Sequence, residues 1–185
     1  MCGIAGLINY RSDHRDIIIK TLFRRGPDSQ NTYKYRNIHL IHTRLSIQDI
    51  SQGSQPFHIG NYVIIFNGEI YNHLSLRSKV NNYRFKTQCD TETLLALFIE
   101  YGIDALNDCD GMFAFAIFDK KSNKLFLGRD RAGKKPLYFI KNNDSFIFAS
   151  ELNTMRASVN SLKIDASEIY AYIRNGFFNK KKTPY

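Results

Sequence analysis

The sequence predicts an α+β domain in which antiparallel sheets are covered by helices. Short apolar runs bounded by turn residues are typical of strands, and four other segments have helical periodicity. The two kinds of element alternate irregularly, which excludes the regular strand–helix alternation of a doubly wound parallel sheet. With 185 residues and an apolar fraction of 43%, the chain is long enough for one domain with a sizeable core.

Seven strands are predicted. In chain order they are Gly3–Ile8, Ile38–His42, Tyr62–Phe66, Met112–Phe118, Lys124–Gly128, Leu137–Lys141 and Ser145–Ala149. The fourth lies in GMFAFAIFD, where nearly every residue is apolar, so we expect it to be covered on both faces. The segment KNNDS, between the last two strands, is typical of a hairpin loop.

Four helices are predicted from apolar residues that recur at helical spacing. They are Asp16–Arg24, Leu74–Val80, Glu92–Tyr101 and Ala166–Asn175. The third begins after Asp90 and Thr91, which are residue types able to cap a helix, and ends at a glycine. The fourth, in DASEIYAYIRNG, repeats that pattern.

Composition excludes several classes of function. The net charge of +9 comes mostly from scattered Lys and Arg residues, with one run at Lys180–Lys182. No zinc finger or aromatic RNA-binding signature accompanies it, so no nucleic-acid partner is predicted. No apolar run is long enough to span a membrane, and the start lacks the pattern of a signal peptide. Cys2, Cys89 and Cys109 have no metal-ligand spacing and cannot all pair, which indicates free thiols in the cytoplasm.

Two motifs that resemble binding sites are rejected on chemical grounds. GRDRAGKK has the spacing of a phosphate-binding loop, but Lys135 stands where a magnesium-binding hydroxyl is needed, and Asp130 would repel phosphate. His39 and His42 lie in a predicted strand, where a spacing of three directs the rings to opposite faces. No metal site is therefore expected.

The N-terminal segment MCGIAG indicates nucleophilic chemistry. Methionine aminopeptidases remove Met1 when the second residue is small, and Cys2 would then carry both a thiol and an α-amine with an ordinary pKa of about 7.7 to 8.0. Such an amine can act as a general base for its own thiol. Gly3 and Gly6 would allow the backbone and a substrate to approach closely. The alternative is a chance cysteine before a buried strand.

Three further segments offer groups that suit an amide substrate. FNGEIYN places Asn67, Gly68 and Glu69 at the end of a strand, where an amide side chain and a glycine N–H can stabilise an oxyanion. HTRLSIQD offers the Arg44 guanidinium for a carboxylate, and QCDTET offers the Asp90 carboxylate for an ammonium group. Each has a simpler alternative: a hairpin turn, a surface charge and a helix cap.

The chain resembles the glutaminase domain of glutamine-hydrolysing asparagine synthetases, which are class II glutamine amidotransferases. The resemblance runs from residue 1 to about residue 175. It rests on nine segments that agree in order and spacing: MCGIAG, RRGPDS, HTRLSIQD, QPF, FNGEIYNH, CDTETLLAL, GMFAFAIFD, GRDRAGKKPLY and FASE. The resemblance implies a four-layer αββα Ntn-hydrolase sandwich, with two antiparallel sheets between helices.

The resemblance also implies roles for eight residues. Cys2 would be the nucleophile, and Asn67 and Gly68 would form the oxyanion hole. The substrate-binding residues would be Arg44 for the α-carboxylate of L-glutamine, Asp90 for its α-amine, Glu69 for its amine or amide end, and the backbone around Leu45 and Ile47.

The resemblance further implies a domain organisation. Residues 2–160 would form the glutaminase domain, and residues 161–185 a C-terminal helix and the start of the segment leading to a synthetase domain. No cofactor is expected for glutamine hydrolysis; ATP and Mg²⁺ are expected only for the synthetase domain, whose SGGxDS-type phosphate loop this sequence lacks. The partner would be a synthetase domain or subunit that accepts ammonia, and a homodimer is one arrangement left open.

Two alternatives within the same fold also remain open. One is a non-catalytic module that binds a partner or regulates it, and the other is an amidotransferase that acts on another carboxylate, such as a sugar acid.

Overall fold

The computed structural model describes residues 1–10, 14–47, 49, 52–159 and 165–177. Nine strands are described: β1 (Gly3–Ile8), β2 (Ser29–Tyr35), β3 (Ile38–Arg44), β4 (Phe57–Ile59), β5 (Tyr62–Ile70), β6 (Gly111–Asp119), β7 (Lys124–Arg129), β8 (Tyr138–Asn142) and β9 (Ser145–Ala149). The described α-helices are α1 (His14–Leu22), α2 (His73–Arg77), α3 (Asp90–Tyr101), α4 (Leu152–Ser158) and α5 (Ala166–Asn175). Short 3-10 helices follow α1 at Phe23–Arg25 and α3 at Ile103–Asp108.

The strands form two antiparallel sheets. The first has the order β2-β3-β1-β9-β8, and the second has the order β4-β5-β6-β7. In the first sheet Gly3 lies opposite Thr43, and in the second Asn67 lies opposite Ala114. Because β1 and β3 are antiparallel, the start of β1 and the end of β3 lie side by side. The N-terminus of the chain therefore lies at the same end of the sheet as the segment that follows Arg44.

Apolar side chains pack in three layers, and these produce an αββα sandwich. Between the sheets, Ile4 and Phe148 of the first sheet pack with Val63 and Phe118 of the second. The outer face of the first sheet packs on α1 and α4, and the outer face of the second packs on α2 and α3. The predicted α+β class with two antiparallel sheets between helices is confirmed.

Strand β6 is covered on both faces, as its continuous apolar sequence predicts. Alternate residues belong to different core layers: Phe113, Phe115 and Ile117 face the helical layer, whereas Ala114, Ala116 and Phe118 face the other sheet. The predicted hairpin is also present, since Asn142 pairs with Ser145 across the turn that joins β8 and β9.

Two strands and one α-helix of the described residues are missing from the sequence prediction, as is the 3-10 helix at Ile103–Asp108. Strand β2 has the polar sequence SQNTYKY and lies at a sheet edge, where its side chains are mostly exposed, so no apolar run marks it. Strand β4 has only three residues, and α4 has seven residues with little apolar periodicity. The place of β4 depends on its pairing with β5, and the place of α4 depends on its packing against α1.

All four predicted helices are present, three of them with altered ends, and the third begins at Asp90 rather than Glu92. The first ends as a 3-10 turn at Phe23–Arg25, and the second stops at Arg77 rather than Val80. Helix α5 has the predicted bounds, with the Asp165 carboxylate accepting the Ser167 N–H and Gly176 in the left-handed conformation. Within the described part of the chain, no helix is long and apolar enough to cross a membrane.

Candidate active site

One cleft contains all eight of the predicted site residues. It opens at the end of the first sheet where the N-terminus lies beside the segment after β3. Strand β5 and the start of α3 form its other walls. Its lining consists of Met1, Cys2, Arg44, Leu45, Ile47, Gly53, Gln55, Phe66, Asn67, Gly68, Glu69, Cys89, Asp90, Thr91, Met112 and Lys135. Six separate stretches of the chain therefore supply one site.

The Cys2 thiol is half-buried and touches the backbone of Leu45. The Leu45 N–H donates to Cys2 Sγ at 3.5 Å, and the Leu45 carbonyl oxygen lies 3.6 Å from the same sulfur. Burial raises the pKa of this thiol, while the Leu45 hydrogen bond, the N-terminal charge and Arg44 oppose that rise. A nucleophilic role for this sulfur would therefore require a nearby base.

The backbone around Cys2, just before β1, is held by groups from other elements. Arg25 Nε donates to the Cys2 carbonyl oxygen at 2.9 Å, and Arg25 is itself paired with Glu151 at 3.3 Å. Beside it, the Ile4 N–H donates to Ser150 Oγ at 3.0 Å. These contacts fix the direction in which the nucleophile candidate enters the cleft.

The two glycines after Cys2 have a packing role that differs from the predicted one. A Cβ on Gly3 would lie 2.5 Å from Thr43 Oγ1, and a Cβ on Gly6 would lie 2.1 Å from the Phe148 ring. Both glycines therefore make room for neighbouring side chains of the protein, and Gly6 lies in the core rather than in the cleft.

The Asn67 side chain presents a buried donor to the cleft. The residue is only 1% exposed, and its Nδ2 has no hydrogen-bond partner among the described residues. Buried polar atoms in folded proteins are nearly always paired, so an unpartnered amide beside an open cleft indicates a place for an acceptor atom of a ligand. An oxyanion is such an acceptor.

Asn67 and Gly68 lie within a strand and not in a loop at its end, which corrects the sequence interpretation. Strand β5 continues to Ile70, and Gly68 pairs with Phe113 of β6, which also rules out a hairpin turn at this position. A Cβ on Gly68 would lie 2.3 Å from the Met112 carbonyl oxygen. Glycine is required here because β5 and β6 approach closely.

Arg44 ends β3 and is anchored by the segment that follows it. Its Nη2 donates to the Asp49 carbonyl oxygen at 2.7 Å, and the Gly53 N–H donates to the same oxygen at 2.8 Å. The Asp49 carboxylate accepts the N–H of Gln88 at 2.9 Å, which joins this segment to the approach of α3. The guanidinium is thus held in the cleft wall instead of moving freely at the surface.

Asp90 is the first residue of α3, and its carboxylate does not serve only as a helix cap. It accepts the Ile70 N–H at 2.9 Å, and the N-cap position belongs to Cys89. Burial, with a smaller contribution from the Glu69 charge, raises the pKa of Asp90 to about 6. A cationic group of a ligand would stabilise the ionised carboxylate.

Sequence reasoning did not assign a role in the site to two polar residues of the cleft, Gln55 and Lys135. Gln55 joins two walls, because its Oε1 accepts the Phe66 N–H at 2.6 Å and its Nε2 donates to Thr91 Oγ1 at 3.2 Å. Lys135 is buried beside Met1. The segment QPF marks the place of Gln55 as part of a motif, but neither its partners nor those of Lys135 can be inferred from spacing.

His42 is fully buried and contacts strand β5. Its Nε2 donates to the Phe66 carbonyl oxygen at 3.2 Å, and burial lowers its pKa to about 4, so the ring is neutral at physiological pH. In the described ranges, no group of three His, Cys, Asp or Glu residues has the geometry to hold a metal ion.

Sequence comparison identifies relatives across the chain. A family described as "glutamine amidotransferase domain" matches residues 1–185. Asparagine synthetase [glutamine-hydrolyzing] 3 of Bacillus subtilis is 37% identical over 85% of this chain, and asparagine synthetase [glutamine-hydrolyzing] 1 of the same organism is 36% identical over 99%. Asparagine synthetase B [glutamine-hydrolyzing] of Escherichia coli is 35% identical over 95% of the chain.

These relatives are longer than this chain, which spans 28%, 31% and 34% of their respective lengths. Among solved structures, glutamine phosphoribosylpyrophosphate amidotransferase from B. subtilis superposes with a TM-score of 0.71 at 18% identity. The superposition covers 85% of this chain and 43% of that one. The structural likeness agrees with the αββα fold.

Proposed function

The chain belongs to the glutamine amidotransferase domain family and is homologous to asparagine synthetases over most of its length; from this premise we propose that it hydrolyses L-glutamine to glutamate and ammonia. The observation that carries the proposal is the meeting of the Cys2 thiol and the unpartnered Asn67 amide in one cleft. The thiol supplies a nucleophile, and the amide supplies a hydrogen-bond donor for the oxyanion that forms when the nucleophile attacks.

Removal of Met1 starts the proposed mechanism. The α-amine of Cys2 is then free, and it takes the thiol proton directly or through one water. The thiolate attacks the side-chain amide carbon of glutamine and forms a C–S bond, and the amide oxygen becomes an oxyanion. Burial raises the pKa of the thiol, which is the reason why an attached base is needed.

The oxyanion is stabilised by the Asn67 amide and the Gly68 N–H. It collapses as the C–N bond breaks, and the amine base returns its proton to the departing ammonia. Water then gives a proton to the α-amine as it attacks the γ-glutamyl thioester, which forms a second oxyanion in the same position. As the C–S bond breaks, the amine returns this proton to the sulfur, which releases glutamate and restores Cys2.

Charged groups at the far end of the cleft orient the substrate. Arg44 binds the α-carboxylate through its guanidinium, and Asp90 binds the α-ammonium with support from Glu69. The backbone around Leu45 and Ile47 lines the part of the cleft that takes the carbon chain of the substrate. The anchoring of Arg44 by Asp49 and of Asp90 by Ile70 supports these assignments, because both charges are held before the substrate arrives.

The ammonia is used in a larger reaction. The names of the relatives indicate amidation of aspartate to asparagine, an ATP-dependent reaction in which this chain supplies the glutaminase half. Within this proposal, residues 2–160 are the glutaminase domain, and residues 161–185 begin the connection to a synthetase domain in the cytoplasm. ATP and Mg²⁺ belong to that domain.

Glutamate release tests the proposed function. Intact mass is first used to establish that Met1 has been removed, because a retained Met1 converts the base into an amide. The Met1-free chain is then incubated with L-glutamine, and glutamate and ammonia are measured. We expect equal amounts of the two products; no release above the uncatalysed rate would contradict the proposal.

A further inference from the structure

Lys135 is buried in the wall of the cleft. It is only 5% exposed, whereas the adjacent Lys134 is exposed. The Asp130 carboxylate holds this turn through backbone donors, accepting the N–H of Lys134 at 2.8 Å and of Lys135 at 3.0 Å. The turn therefore directs one lysine toward solvent and the other toward the site.

The Lys135 ammonium contacts the residue that maturation removes. Among the described residues, Lys135 Nζ donates its hydrogen bond to Met1 Sδ, at 3.2 Å. A thioether is a weak acceptor. Only five covalent bonds separate Met1 Sδ from the Cys2 nitrogen, which becomes the α-amine when Met1 is removed. Lys135 Nζ therefore lies no more than about 10 Å from that nitrogen. Loss of Met1 leaves the cation in the cleft without its partner.

We propose that Lys135 is a positioning residue that acts through the α-amine of Cys2, and that its buried positive charge keeps the amine in the free-base form. This inference rests on the proposed function, in which the amine is the base. A nearby like charge disfavours the protonated amine, and partial burial reduces screening by water and salt. The fraction of enzyme with a competent base at neutral pH is therefore larger with Lys135 than without it.

Other charges facing the N-terminus come from several elements. Arg25 and Arg44 add positive charge, whereas Glu151, Glu69 and Asp90 add negative charge, and the Cys2 thiol titrates beside the amine. Arg25 and Glu151 form an ion pair, so their charges largely offset each other at a distance. Substitution of Lys135 alone leaves this background unchanged.

The experiment titrates the amine without glutamine turnover. An N-terminal cysteine condenses with formaldehyde to a thiazolidine through its free-base amine, and intact mass follows the reaction as a function of pH. The proteins compared are the Met1-free forms of the unaltered chain, Lys135→Met, Lys135→Arg and Lys134→Met. Lys135→Met keeps an apolar stem of similar length, and Lys134→Met is the matched exposed control.

We expect the midpoint of the pH profile to lie about one pH unit higher in Lys135→Met. It should be unchanged in Lys134→Met and close to that of the unaltered chain in Lys135→Arg, which keeps the charge. The kcat at saturating glutamine should show the same displacement, with about a tenfold loss near pH 6.5 and recovery at alkaline pH.

Coincident midpoints in the unaltered chain and Lys135→Met would overturn this inference, as would an equal loss of kcat at every pH. A failure of the proposed function is distinguishable from either result. It would appear as absence of Cys2-dependent glutamate release in the unaltered chain, while the thiazolidine titration would still report the effect of Lys135 on the amine.

Discussion

The thiol of Cys2 is hydrogen-bonded to the backbone of Leu45, whose N–H lies 3.5 Å and whose carbonyl oxygen lies 3.6 Å from the sulfur. This contact holds the proposed nucleophile against the segment that immediately follows Arg44. The N–H favours a thiolate, whereas the carbonyl favours a protonated thiol. The resting site therefore holds the sulfur in place, and in the proposed mechanism the α-amine activates it.

Replacement of Cys2 by alanine should abolish glutaminase activity. The substitution removes the sulfur that forms the thioester, and no other group can replace it. Cys109→Ala is the matched control, because Cys109 is a buried thiol in the core beside α3 and lies outside the cleft. Glutamate release is the measurement; comparable activity in Cys2→Ala and the unaltered chain would refute the assignment.

Asn67→Ala should lower kcat by about 10²- to 10³-fold with little change in KM, because the lost donor acts mainly on the oxyanion. Steady-state kinetics of glutamine hydrolysis provide the test. Asn61→Ala is the control, since Asn61 is an exposed residue just before the same strand. If the loss appeared only in KM, Asn67 would be a ground-state binding residue instead.

The affinity for glutamine should fall as pH drops through about 6. Burial raises the pKa of the Asp90 carboxyl to that value, and below it the neutral acid no longer attracts the substrate ammonium. We expect KM to rise in this range, and Asp90→Asn to have a high KM with a weaker pH dependence. Exposed Asp104→Asn is the control. A low, normal KM for Asp90→Asn at neutral pH would contradict the role.

Gln55→Met should lower the free energy of unfolding by about 1–3 kcal/mol, because the buried Phe66 N–H loses its acceptor. Urea unfolding measures this change. Gln52→Met is the control, since the Gln52 side chain is exposed and its backbone bond to Asp49 is retained. Equal stability of the two variants would show that the Gln55 bridge contributes little.

The sequence was sufficient to predict the site residues that carry distinctive chemical groups. Cys2, Arg44, Asn67 and Asp90 lie in separate motifs, and the structure brings all four to one cleft. Their assigned roles remain predictions. Strand β6 could also be predicted, because burial on both faces leaves a continuous apolar sequence.

Other features depend on contacts that a linear pattern does not contain. The position of Asn67 within a strand follows from the length of the β5–β6 ladder, and the need for Gly68 follows from the approach of Met112. Lys135 lies in a motif that resembles a phosphate-binding loop, and it comes to lie beside Met1 only in the folded chain. Strand β2 is polar because it occupies an edge.

Trapping of the covalent intermediate tests the central claim most directly. The Met1-free chain is mixed with L-glutamine and quenched in acid, and intact mass followed by peptide mapping locates any adduct. We predict a γ-glutamyl group on Cys2 that forms during turnover, disappears as glutamine is exhausted and is absent from Cys2→Ala. Glutamine hydrolysis with an adduct on another residue, or hydrolysis that persists in Cys2→Ala, would contradict the account.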